Sequence, residues 1–593
     1  MSTTSAEKFD QIESHHRHGR STGVTRSVME DQEHSAETAM QPVRPPQASW
    51  TSMPHKDQLA ILALSRMVDF FQMASLSTFM VHQLQSFDPS LPNSCISRQA
   101  GMLQGSFTAA QIVTAVLWGR VADEPNIGRK KVLLVGLIGT AFSCIGLGFS
   151  RSFTQATLWR LLGGAINGTV GAARTMVAET VEKRFHSRAF LLLPVAFNVA
   201  NILGPIFGGM LVDPVTSFPT LLGPSSVFGG PEGVAWMIKY PYAATNMLSA
   251  ALLFAEAALV YFFLRETLAS YAKRGPSPFG WLDTSRGLLA RLVPRRKSDY
   301  KALDPSQSVG LLAGIEGDAI NMTELSPEGY LEKPFAKPKL SFSRLWTSNV
   351  VLTLLSIAIF DFHMGAFSSL WIIFLSTERA EKHHAARSPS DPFYFDGGLS
   401  FQPTAISYAL AVIGLVGLAL QLSLYPWANS RFGLMRCFRY SLVLFPVAYF
   451  LAPFISLLPS WTDAPQPASG PWIWIGISMV LTLQVTARTF ALPASILLLN
   501  NSSPHPTVLA TIHGLGSSTS SMFRTVGPIA AGFWYGVGLE MGAVGMAWWI
   551  VAGISCIGCI ASFWMRNGSG REILLPGDEE YQEIQETQAR TRD

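Results

Sequence analysis

Charge is what this chain has least of. Asp, Glu, Lys and Arg together supply 14% of its 593 residues, where a soluble globular chain carries about 25%. That excludes a string of water-soluble domains. Cysteine is also sparse: Cys95, Cys144, Cys437, Cys556 and Cys559. Only Cys95 falls in an expected outer loop, so a disulfide framework is excluded. Cys556 and Cys559 lie inside an apolar segment, where they read as small packing residues. There is no phosphate-cradling loop of the Walker type, which argues against ATP-driven work. No nucleophile-and-base pattern stands out, so no enzyme is expected. The His15, His16 and His18 tract lacks a second ligand cluster, and neither a metal nor a cofactor is expected. A cleavable signal peptide is not visible, because residues 1–55 are polar. The net charge of +4 gives no reason to expect nucleic acid as a partner.

What is present is apolar. Hydrophobic residues make up 48% of the chain, gathered into runs of roughly 20, enough to cross about 30 Å of hydrocarbon as helix. Twelve such segments are expected, near 58–82, 98–120, 131–150, 154–178, 188–211, 241–264, 349–374, 405–425, 437–458, 472–497, 508–535 and 544–565. The expected fold class is an all-α polytopic membrane protein, with 12 transmembrane helices in two pseudo-symmetric six-helix bundles. Residues 1–55 read as a disordered cytosolic tail, 56–265 as the first bundle and 266–344 as a cytosolic linker. Residues 345–566 read as the second bundle and 567–593 as a cytosolic tail.

Sidedness follows from the turn 118–131, between segments 2 and 3. Arg120, Arg129, Lys130 and Lys131 pin it to the cytosolic face. Its glycines suit a tight turn and close helix approach, and Asp123 can cap a helix or pair with a cation. The other expected inner loops carry Lys183, Arg184 and Arg188, then Arg431, Arg436 and Arg439. The outer loops 3–4 and 5–6 carry little beyond Arg151 and Lys239. The long outer loop 376–404, with Arg379, Lys382 and Arg387, is an exception. Both termini are expected in the cytosol, on a plasma or vacuolar membrane, and the sequons at Asn321, Asn501 and Asn567 are expected on the same side.

The two halves echo each other. Gly204-Pro205-Ile206-Phe207-Gly208-Gly209 in segment 5 matches Gly527-Pro528 and its followers in segment 11. A Gly-Pro step inside a membrane helix needs neighbours that satisfy the freed carbonyl. The stretch 426–433 echoes the turn 118–131 without its acid.

The opening turn resembles motif A of the major facilitator superfamily, with Gly119, Asp123, Gly128, Arg129 and Lys130 at matching places and two extra residues before Gly128. Arg160 to Gly164 resembles motif B, and Ala200 to Gly209 resembles motif C, which is associated with antiporters. In detail the chain is similar to fungal multidrug-type exporters and to the plant zinc-induced-facilitator-like group. The resemblance implies two parallel six-helix repeats around a central site, a monomer, and a proton-coupling part for Arg160.

Charges in mid-membrane need a reason. Asp69 in segment 1 and Asp361 in segment 7 hold comparable positions, where a desolvated carboxyl suits proton exchange. Asp69 has a second reading, an ion pair with Arg66 three residues back. Gln72 shares its face and is a candidate substrate contact. His363 falls on the face opposite Asp361, and Asp361 is favoured as the cavity residue. In segment 4, Arg160, Gly164, Asn167, Gly171 and Arg174 make one polar stripe. Arg160 reads as a coupling residue or as a hydrogen-bond hub to backbone carbonyls. In segment 10, Gln484, Arg488, Ala491 and Ser495 repeat the spacing, so Asn167, Gln484 and Arg488 join the candidate cavity. Glu179 and Arg174 suggest a gating ion pair, and Glu256 finds no partner in the sequence. The function expected is a secondary active transporter exporting a small organic compound, a drug or secondary metabolite, against protons, with the lipid bilayer as its solvent. An uptake carrier for a nutrient or metal chelate, and a non-transporting sensor, stand as alternatives.

Overall fold

The computed structural model describes residues 53–124, 126–181, 185–226, 228–268, 342–380, 397–505, 508–568 and 573. Most of the expected tails and of the linker, and Lys382, Arg387 and Asn321, lie outside the described residues.

Among the described residues the long elements are α-helices. They are α1 (Lys56–Phe87), α2 (Asn93–Asp123), α3 (Gly128–Gly148), α4a (Phe153–Ile166) with α4b (Thr169–Thr180), α5 (His186–Met210) and α6 (Ala243–Phe263). After the linker come α7 (Ser348–Ser376), α8 (Pro403–Leu422), α9 (Leu434–Leu451), α10 (Pro471–Asn501), α11 (Leu509–Met541) and α12 (Gly545–Ala561). Eight of the helices described are long and apolar enough to cross a membrane. The helices α2, α4, α11 and α12 fall outside that set for physical reasons. The first and third are rich in Gly, Ser and Thr, α4 is in two pieces, and α12 is 17 residues long.

Packing repeats between halves. The pairs α1 with α5, α3 with α6, and α2 with α4a have counterparts in α7 with α11, α9 with α12, and α8 with α10. The halves meet where α2 runs along α11 and α5 along α8. These contacts are backbone-close because the meeting residues are small. A side chain at Gly101 would run into Pro528 and Gly532, one at Gly105 into Ile529, and one at Gly414 into Asn198 and Ile202. In hydrocarbon, where burial gives helices no hydrophobic reward, such packing is what holds them.

The contact of α2 with α11 is one-sided. Between α2 and α11, Arg98 pairs with Glu540 at 2.6 Å and Thr525 bonds Thr108 at 2.9 Å, while Gln104 bonds Ser368 on α7 at 2.7 Å. Among the described residues, hydrogen bonds between α2 and α11 stop there. Nearer the 2–3 turn, Val113 is 74% exposed, and a side chain at Gly119 would meet nothing. The cleft between the halves opens toward the turn and the linker and is shut at the other end. Gly119 therefore does not mediate close helix approach in this state, contrary to expectation: a side chain there would meet nothing, although the end of α2 is held to α4 by Trp118 and Gln111.

Two further expectations need correction. Segment 4 is not one continuous span; it breaks at Asn167 and Gly168. The freed carbonyls find donors on α2: the Trp118 indole N–H reaches Ala165 O at 2.7 Å, and Gln111 reaches Asn167 O at 3.3 Å. The stretch 426–433 is not a simple turn, since Leu424–Phe432 forms its own short helix before Gly433 at φ 75°.

The interface predicts a contrast. Gly101→Val should lower unfolding stability by about 1–3 kcal/mol through overpacking, while Gly119→Val should change it by less than about 0.5 kcal/mol. Thermal unfolding of the two variants in detergent checks this, and equal effects would contradict the packing.

Candidate functional site

The break in α4 sits beside α1 because the sequence places Arg66 and Asp69 one helical turn apart, facing it. Arg66 pairs with Asp69, both buried, and also donates to Thr169 Oγ1 at 3.1 Å. The Thr169 hydroxyl and Asn167 Nδ2 reach the same carboxylate at 3.0 and 2.9 Å. Asn167 further donates to Thr140 on α3 at 3.4 Å. Of the two readings for Asp69, the pair with Arg66 is formed, and three helices are tied together through it.

Arg160 lies close by on α4a and is 4% exposed. Its guanidinium sits over the Phe107 ring, 4.6 Å from the centroid. Asp69 and the Cys144 thiol lie within electrostatic reach of it. Its Nε has no hydrogen-bond partner, and among the described residues no carboxylate pairs with it. Gln72, also buried, accepts from the Cys144 thiol at 3.9 Å, and its Nε2 is unpartnered.

The second half is built differently. Asp361 on α7 accepts from Arg524 on α11 at 2.7 Å; the Asp361 side chain is 7% exposed and that of Arg524 54%. Arg524 also reaches Ser520 Oγ at 3.2 Å. Sequence spacing missed this cation, which is 163 residues away; its signal was an arginine standing alone in a Ser- and Thr-rich helix. His363 points the other way, into aromatic packing, with Nδ1 3.0 Å from the Tyr449 hydroxyl and its ring against Phe360 and Phe445. Gln484 is 1% exposed and donates to Met364 Sδ at 3.5 Å. Arg488 reaches from α10 across the junction, 5.3 Å from the Phe197 ring centroid on α5. Arg174 is exposed, within electrostatic reach of Arg66 and Arg524, which places it in the cleft. The side nearer the opening is thus rich in guanidinium groups.

The 2–3 turn is clamped from below. Gly128 adopts φ 77°, and a side chain there would meet the Glu266 carboxylate. That carboxylate accepts the N–H groups of Arg129 and Lys130 at 3.2 and 3.0 Å. It caps the start of α3, where an anion is favoured. Lys130 Nζ donates to Tyr261 O and Leu264 O at 2.8 and 2.7 Å, closing the end of α6. Arg129 pairs with Glu179 on α4b. The expected pairing of Glu179 with Arg174 is therefore corrected: five residues apart, they point about 140° away from each other around the helix. The Asp123 side chain lies outside what is described. Glycines of the Gly-Pro steps lie against neighbouring backbone or small side chains: Gly204 and Gly208 against α1, Gly209 against Ser407 on α8, and Gly527 against Phe362 and Ala366 on α7. Pro205 and Pro528 stand inside their helices.

A sequence model described as Major Facilitator Superfamily matches residues 59–386. The chain is 30% identical over 548 residues to "Major facilitator superfamily multidrug transporter mfsB" of Aspergillus fumigatus, covering 88% of this chain and 85% of that one. It is 23% identical to "Protein ZINC INDUCED FACILITATOR 1" of Arabidopsis thaliana, covering 77% and 80%. It is also 23% identical to "Efflux pump azaK" of Aspergillus niger, covering 84% and 85%. The fold is similar to the crystal structure of a D-xylose-proton symporter, with TM-score 0.55 at 12% identity, covering 87% of this chain and 99% of that one. These are the relatives that the motifs led one to expect.

The two acids should differ in what their loss does. Asp69→Asn strands a buried Arg66 and should cost about 3–5 kcal/mol. Asp361→Asn leaves Arg524, half in solvent, and should cost under about 1 kcal/mol. Unfolding measured in detergent separates them; equal losses would contradict the burial difference.

Proposed function

The chain belongs to the major facilitator superfamily, and we propose that it is a proton-coupled exporter of small organic compounds working by alternating access. Members of that family move small molecules across membranes and are not enzymes, and this chain is a multi-pass membrane transporter with them. The finer reading rests on one observation: Asp69 lies among Arg66 and Arg160, and Arg160 has no counter-ion of its own.

Asp69 accepts from Arg66, Thr169 and Asn167 at once. Protonating it would free Arg66 and Thr169 together, and with them the junction of α4a and α4b. That makes the network able to couple proton uptake to a change in the cleft wall. Asp361 offers a second proton site in the cleft, because its partner Arg524 can exchange the carboxylate for water or for an anionic group. If the positive-inside rule holds for the 2–3 turn, the open end faces the cytosol, the side from which an exporter loads. The names of the relatives mfsB and azaK favour export over uptake. The mid-membrane acids disfavour a sensor that moves nothing.

In proteoliposomes screened over a panel of drugs, an imposed pH gradient should drive accumulation on the acidic side. Asp361→Asn should lower gradient-driven flux at least tenfold while the protein inserts normally. Arg160→Ala should keep substrate exchange without a gradient and lose the response to one. Unchanged gradient-driven flux in both variants would remove these residues from the mechanism.

A further inference from the structure

Glu256 stands on α6, away from the cleft and its ion pairs. It is 2% exposed, and its Oε1 is buried with no hydrogen-bond partner. Among the described residues no cation pairs with it. It lines a cavity of about 360 Å³ between α1, α5 and α6, whose other walls are hydrocarbon and include Leu64, Phe71, Phe207, Leu252 and Ala255. Leu64 and Phe207 are 37% and 43% exposed. The cavity therefore opens sideways, on the outer surface that hydrocarbon bathes. Arg66 and Asp69 leave α1 toward α4b, while Leu64 and Phe71 face this cavity. It is a separate site from the cleft.

An ionisable group at this depth with no partner asks for one from outside. What fits combines a long apolar body for the walls with a cationic head for the carboxyl. We propose that this groove binds a lipophilic amine taken directly from the bilayer, with its ammonium group on Glu256. A zwitterionic lipid fits less well. Glu256 lies seven residues from the end of α6, about 10 Å along the helix, so an ethanolamine head there would drag its phosphate into hydrocarbon.

The test is photolabelling of the purified full chain in phosphatidylcholine nanodiscs, using a diazirine-bearing dodecylamine and the matching dodecanol. The amine should label peptides holding 64–71, 203–207 and 248–259 at least tenfold more than the alcohol does. Glu256→Gln should remove that preference and leave alcohol labelling as it was. Ala255→Trp, which fills the groove, should lower labelling by both probes and guards against misfolding of the first variant. Equal labelling by amine and alcohol, or undiminished amine labelling in Glu256→Gln, would overturn the proposal. So would loss of amine labelling on adding phosphatidylethanolamine, since the lipid would then be the occupant. The readout is binding, so its failure leaves the transport reading untouched, and the reverse also holds.

Discussion

The structure depends on backbones touching across the line between its halves. The contacts of α2 on α11 and of α5 on α8 are made by Gly101, Gly532, Gly209 and Gly414, with little side chain between. Hydrocarbon solvates apolar side chains as well as a neighbouring helix does, so close packing, not burial, joins the halves. Contacts of this kind hold over a short length and then end abruptly. The cleft exists because the small residues lie mostly at one end of each helix pair.

Polar groups follow the same economy. Nothing in lipid can take up a stray carbonyl or charge, so each is answered locally. The break in α4 survives because Trp118 and Gln111 take its freed carbonyls. Asp69 survives because three donors on three residues surround it. Among the charged groups left without a full answer, Arg160 in the first half and Glu256 on its flank mark where something beyond the described residues is called for.

Much of this was legible in the sequence. The apolar runs located nearly every helix, because length and hydropathy report directly on a 30 Å slab. The basic turn and the paired Gly-Pro steps announced the two-fold repeat. The rest failed for identifiable reasons. A stripe at intervals of three and four reads the same whether a helix is whole or broken, so the interruption at Asn167 was invisible. Partners distant in the chain, such as Arg524 for Asp361 and Glu266 for the start of α3, leave no mark in local spacing. Glu179 was matched to its neighbour Arg174 by proximity in sequence, when the turn of the helix sends it to Arg129. The acid Glu256 was visible, and its surroundings were not.

The hydrogen bond from Thr525 to Thr108 between α2 and α11 is where a fulcrum would sit if the halves rock as proposed. Beyond it α2 continues to Asp123, a lever roughly 22 Å long at the helical rise. A tilt of a few degrees at such a pivot sweeps the far tip through roughly an ångström or two. With mechanical advantage of this kind, a hydroxyl-sized adjustment at the pivot would be enough to set the mouth of the protein ajar.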